Sequence, residues 1–142
     1  NCWNIETTTS LWLINNQLTG GIPSEIGNLT SLESLNLYNS QLTGDIPPEI
    51  GNLLNLTALA LDGNQLTGEI PSSIGNIPNL TDLGFEENEL TSLPENICDF
   101  PAVPTFGIRL SNNKLCPEYN YDCLQQSMNG NLFDPQDQTN CP

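Results

Sequence analysis

Three sets of side chains in this sequence have the types and spacing to do chemistry. The first is acidic: Asp82, Glu86, Glu87 and Glu89 crowd into one short stretch, hard-oxygen donors of the kind that hold Ca²⁺. The second is five cysteines, at positions 2, 98, 116, 123 and 141. The third is Trp12, Ile14 and Tyr38, large apolar groups set among polar neighbours, as in a binding hot spot. The usual catalytic partners are missing. The chain has no histidine, the commonest general base at neutral pH, and hence no Ser/His/Asp or Cys/His set. The expectation is a non-enzymatic protein with no catalytic residues, no cofactor and no metal. The acidic stretch then reads as a solvated patch partly neutralised by Arg109 and Lys114, the only basic side chains in the chain.

Those two cations against 17 carboxylates leave a formal charge of −15. Such a field makes nucleic acid and anionic membranes poor partners, because binding them requires Lys and Arg to displace counterions. No apolar run approaches the ~20 residues that cross a bilayer, and no signal peptide precedes Asn1, so the chain reads as soluble or already processed. The cysteines crowd toward the C-terminus and suggest disulfides in an oxidising, extracellular or cell-surface setting. Zinc fits less well, since Cys116 and Cys123 are too far apart for the usual ligand pairs.

The elements that must position these groups emerge from a repeat. QLTGGIPSEIGN from Gln17 returns as QLTGDIPPEIGN from Gln41 and QLTGEIPSSIGN from Gln65, 24 residues apart each time. The units run 8–31, 32–55, 56–79, 80–104 (one residue longer) and 105–115. Within a unit, Leu35 and Leu37 alternate with Asn36, the period of a short strand with one face buried. Stacked copies must form a parallel sheet around a shared core, because one strand cannot bury its apolar side alone. Gly20, Gly44 and Gly68 supply turns, Pro23, Pro47 and Pro71 hold the next segment extended, and Ile22, Ile26 and Leu29 fill the back. A phosphate loop is excluded by the lack of a G-x-x-x-x-G-K signature.

The core L-x-x-L-x-L-x-x-N-x-L followed by L-T-G-x-I-P-x-x-I-G-N-L resembles the plant-type leucine-rich repeats of receptor-kinase ectodomains and cell-wall-enzyme inhibitors. The resemblance covers residues 8–115 and implies a right-handed leucine-rich repeat solenoid. A short parallel β-sheet would form one face and extended or 3-10 segments the other. It departs from the pattern at Ser40, where Asn16, Asn64, Asn88 and Asn113 keep the usual ladder asparagine, and at the fourth unit's S-L-P. Residues 1–7 align with the tail of a preceding rung, Cys2 falling where Ile26 sits, and 116–142 read as a disulfide-stabilised cap. Cys98 and Cys123 are each the nineteenth residue of their unit, so a disulfide is expected between adjacent rungs, leaving Cys116–Cys141. The plant-type cap implies a competing Cys116–Cys123 bond. Cys2 stays unpaired or bonds another chain.

In this family the ligand face is the exposed side of the sheet, which here makes Trp12, Ile14, Asn36, Tyr38, Asp62, Glu86, Glu87 and Arg109 the candidate contacts. Five strands at ~4.8 Å spacing make a small face, short of the ~800 Å² per partner of a standard interface. The expected function is recognition of a protein, peptide or glycan. The alternative is a structural subunit stacking head-to-tail on copies of itself through the incomplete first rung. Ice binding, known for one plant-type member, calls for a regular Thr or Asn lattice that these exposed positions lack. Asn28, Asn55 and Asn79 are N-glycosylation acceptors, meaningful if the source is eukaryotic.

Overall fold

The computed structural model describes residues 7–102, 107–116 and 123–124. The alternating L-x-L segments form β1 (Ser10–Trp12), β3 (Ser34–Asn36), β5 (Ala58–Ala60), β7 (Asp82–Gly84) and β8 (Ile108–Arg109). They pair in parallel, in the order β1-β3-β5-β7-β8. Leu11 stands beside Leu35, Leu35 beside Leu59, Leu59 beside Leu83 and Leu83 beside Ile108. The 24-residue period is therefore the register of the sheet. The longer fourth unit changes only the last offset, to 25.

A second parallel sheet was not expected. The Q-L-T segments form β2 (Thr19–Gly20), β4 (Gln41–Asp45) and β6 (Gln65–Thr67), paired in that order. Each of the first three rungs thus turns from one sheet into another. Asn15, Asn39, Gly63, Glu87 and Asn112 make that first turn at positive φ, 50–70°, a conformation that Gly and Asn adopt most readily. Across the back run the 3-10 helices η1 (Ser24–Asn28), η2 (Pro48–Asn52), η3 (Ser72–Asn76) and η4 (Ile97–Asp99). Pro23, Pro47 and Pro71 precede the first three in extended backbone. The glycine inside each I-G-N triplet lets neighbouring rungs touch: a Cβ at Gly27 would lie 2.6 Å from Glu49 O.

Between front and back lies one continuous core, with Leu35, Leu59, Leu83, Ile50, Ile74 and Phe85 almost fully enclosed. The asparagine ladder stitches its front edge. Asn64 donates to Leu37 O and Leu61 O, both at 3.0 Å, and its Oδ1 accepts from Leu42 N–H at 3.1 Å. Asn88 and Asn113 repeat the pattern one and two rungs on. These buried backbone groups lie where the chain leaves the strand and loses its sheet partners. Ser40 manages one bond, 3.4 Å to Leu13 O, and Asn16 is exposed.

Candidate functional site

The residues of the outer sheet face divide into two regions. At the first two rungs, Trp12 is 65% exposed, Ile14 40% and Tyr38 43%, three of the four large apolar side chains left exposed among the described residues. Alternation on β1 and β3 turns these side chains away from the core occupied by Leu35. The Trp12 indole N–H donates to Ser34 Oγ at 3.0 Å, which fixes the ring across the neighbouring strand. Asn36 is half-buried, and its Oδ1 accepts from Tyr38 N–H at 3.0 Å. The Trp12 ring and the Tyr38 backbone of the apolar patch are thus held by neighbouring side chains.

Next to it, at the turns leaving β1 and β3, is a polar groove of about 230 Å³ lined by Asn15, Gln17, Asn39, Ser40 and Gln41. Asn39 Nδ2 donates to Asn15 Oδ1 at 2.5 Å, and Asn15 N–H donates to Tyr38 O at 3.0 Å. Asn15, Gln17 and Asn39 all have positive φ. The sequence analysis gives these asparagines and glutamines no role. Their shared feature, amides concentrated at a turn, was the available signal.

The fourth and fifth rungs are ionic. Arg109 reaches Asp82 Oδ1 at 2.5 Å, Asp62 Oδ2 at 3.6 Å and Glu86 Oε2 at 4.0 Å. It crosses Gly84 to do so: a Cβ at that position would sit 2.5 Å from the guanidinium. Glu86 also accepts from Ser111 Oγ at 2.6 Å, and Lys114 pairs with Glu89 at 2.8 Å. The carboxylates considered for Ca²⁺ are thus engaged by the chain's two cations, apart from exposed Glu87. Among the described residues no cluster of three or more metal-ligating side chains occurs.

Asp62 departs from its expected place among the exposed contacts. It is only 6% exposed, its Oδ1 accepting from Glu86 N–H at 3.1 Å beneath Arg109. Burial raises its carboxyl above the ordinary value, against the opposing pull of Arg109 and the backbone N–H. It supports the face and does not present itself on it.

Cys98 and Cys123 are joined, with Cα atoms 5.7 Å apart, which excludes the competing Cys116–Cys123 bond. Cys116 is itself disulfide-bonded, while Cys141 and Cys2 lie outside the described residues. Asn28, Asn55 and Asn79 are all exposed, and Asn55 donates to Thr30 O at 2.9 Å.

The leucine-rich repeat family profile matches residues 7–29, 31–53 and 55–77. No curated protein sequence matches the chain. Among solved structures, the Arabidopsis receptor kinase HAESA, in complex with the peptide hormone IDA and a co-receptor, aligns at 36% identity and TM-score 0.70. That alignment covers 78% of this chain and 18% of HAESA. A plant ice-binding protein aligns at 39% identity and TM-score 0.70, covering 75% of this chain and 34% of that one. The BIR3–SERK2 complex from Arabidopsis thaliana gives 33% identity and TM-score 0.68, covering 78% and 58%. In each case the chain spans less than two-thirds of the other protein. Repeat register, asparagine ladder, family profile and structural neighbours agree: this chain is a leucine-rich repeat protein of the plant type.

Proposed function

We propose that the chain is a non-enzymatic extracellular recognition module that takes a peptide or a short protein segment on its five-stranded sheet. The observation that carries this reading is the grouping of Trp12, Ile14 and Tyr38 on one exposed face, with Trp12 held by Ser34. Aromatic anchors on a rigid surface concentrate binding energy at low cost in side-chain ordering. The structural neighbours support it, since HAESA is bound to a peptide hormone and RGFR1 to RGF2. Face size favours an extended peptide over a folded partner. The disulfide supports an oxidising compartment, and no helix among the described residues is long and apolar enough to cross a membrane. Selection of a displayed random-peptide library on the purified chain tests the reading. Selected peptides should lose about tenfold or more in affinity on Trp12→Ala or Ile14→Ala, and nothing on Leu54→Ala. Peptides indifferent to both face substitutions would refute it.

Self-association is the second reading. It is favoured by β1, which ends the sheet among the described residues, and by an apolar cavity of about 260 Å³ bordered by Thr8, Leu11, Leu13 and Leu29. Light scattering with and without added salt decides it, because screening of the −15 charge should promote assembly. A monomer in both conditions removes this reading.

A further inference from the structure

The groove beside the aromatic patch has a chemistry of its own. Its lining contains no charged side chain, although the molecule as a whole carries −15. Gln17 and Gln41 each carry an amide with two donors and an acceptor, and Asn15 and Asn39, joined to each other by one bond, keep further donor and acceptor capacity beside the Ser40 hydroxyl. That is the complement of a surface on which every group both donates and accepts. Ile14 and Tyr38, exposed and next in sequence to Asn15 and Asn39, give the groove an apolar rim.

The groove also coincides with the break in the ladder. At positions 64, 88 and 113 an asparagine fills the space behind the turn and ties it to the previous rung. At position 40 the shorter serine makes a single 3.4 Å bond and lines the groove instead. The positive φ of Asn15, Gln17 and Asn39 fixes the turns from which the amides project, so the groove is formed before anything enters it.

We propose that this groove binds an uncharged oligosaccharide. Hydroxyls on adjacent sugar carbons match the amides, and the apolar face of a sugar ring packs on the Tyr38 side. The size of the site suits one or two sugar units. Charge disfavours the acidic glycans, which a molecule carrying −15 repels. The site borders Ile14 and Tyr38 of the peptide face proposed above but does not include Trp12, so Trp12→Ala tells the two readings apart.

Titration calorimetry of the whole chain with cellohexaose, mannohexaose and laminarihexaose, and with hexagalacturonate as the acidic control, tests the proposal. At least one neutral oligomer should bind, with an affinity unchanged between low and high salt. Gln41→Ala should weaken it about tenfold, the loss of one or two hydrogen bonds. Ser40→Asn should abolish it, because the longer side chain occupies the floor of the groove. That variant restores the ladder residue and should fold at least as well as the parent, so lost binding cannot be blamed on misfolding. Trp12→Ala should leave sugar binding unaltered. Absence of binding to all three neutral oligomers, preference for hexagalacturonate, or unchanged affinity in both groove variants would each overturn the proposal.

Discussion

Asp62 shows how a residue's role departs from its column. Its equivalents Ile14, Tyr38 and Glu86 face outward, whereas Asp62 lies beneath a guanidinium that arrives from two strands away, across a glycine. The repeat alone could not reveal this, since Asp62, Gly84 and Arg109 are all non-repeating residues and their meeting is tertiary. Its titration has a definite sign. The folded-state pKa is raised above the unfolded value of about 3.8, so as pH rises the unfolded chain ionises first. The stability from this group is fully present below that value and is lost as pH rises through the folded one. We therefore expect Asp62→Asn to gain stability relative to the parent as pH increases from 4 toward neutrality, a trend that urea denaturation across a pH series (~4–7) can read. A gap that stays constant with pH would place the burial cost elsewhere.

At the scale of the element, the unit of stability is the contact between rungs. Each ladder asparagine satisfies backbone groups of its own rung and the previous one, whereas in the first interval the ladder position supplies only the Ser40–Leu13 bond. Ser40→Asn should therefore stabilise the protein by about 1 kcal/mol, through a new acceptor for Leu18 N–H and a second tie to rung one. Asn88→Ala should cost about 2 kcal/mol, because Leu66 N–H would be left buried without an acceptor, while Leu61 O would keep its bond from Asn64. Thermal denaturation of the two variants checks both signs. Much of this was legible beforehand: the spacing of Leu35, Leu59 and Leu83 gave the sheet register, and Asn64, Asn88 and Asn113 gave the ladder. The second sheet was not. Gln-Leu-Thr-Gly has the look of a turn, and β4 and β6 pair because stacking brings their backbones together, not because of strand propensity. The same sheet sets out a row of threonines, yet Thr67 Oγ1 is committed to Asp45 Oδ1 at 2.9 Å, so the row is not a uniform hydroxyl lattice.

Across the whole molecule, stability is a chain of nearest-neighbour terms, so the two ends can be perturbed separately. The Cys98–Cys123 bond spans 25 residues and holds Leu124, fully enclosed, against the end of the core. Replacing both cysteines by alanine should cost about 3 kcal/mol by loop-closure reasoning. Hydrogen exchange should then speed up first in β7 and β8, while the protection of β1 and β3 changes little. Equal loss of protection in all five strands would show that the solenoid opens as one cooperative block.

The change of offset at β8 has a consequence for how such a chain can vary. One extra residue lies between Leu83 and its partner Ile108, yet the two stand side by side as Leu59 and Leu83 do. The front keeps a fixed ruling although the path from one of its strands to the next is one residue longer, as evenly spaced fence posts can be joined by wires of unequal length. Novelty in recognition can then come from changing the front one position at a time, and novelty in length from the connections between strands, without either disturbing the other.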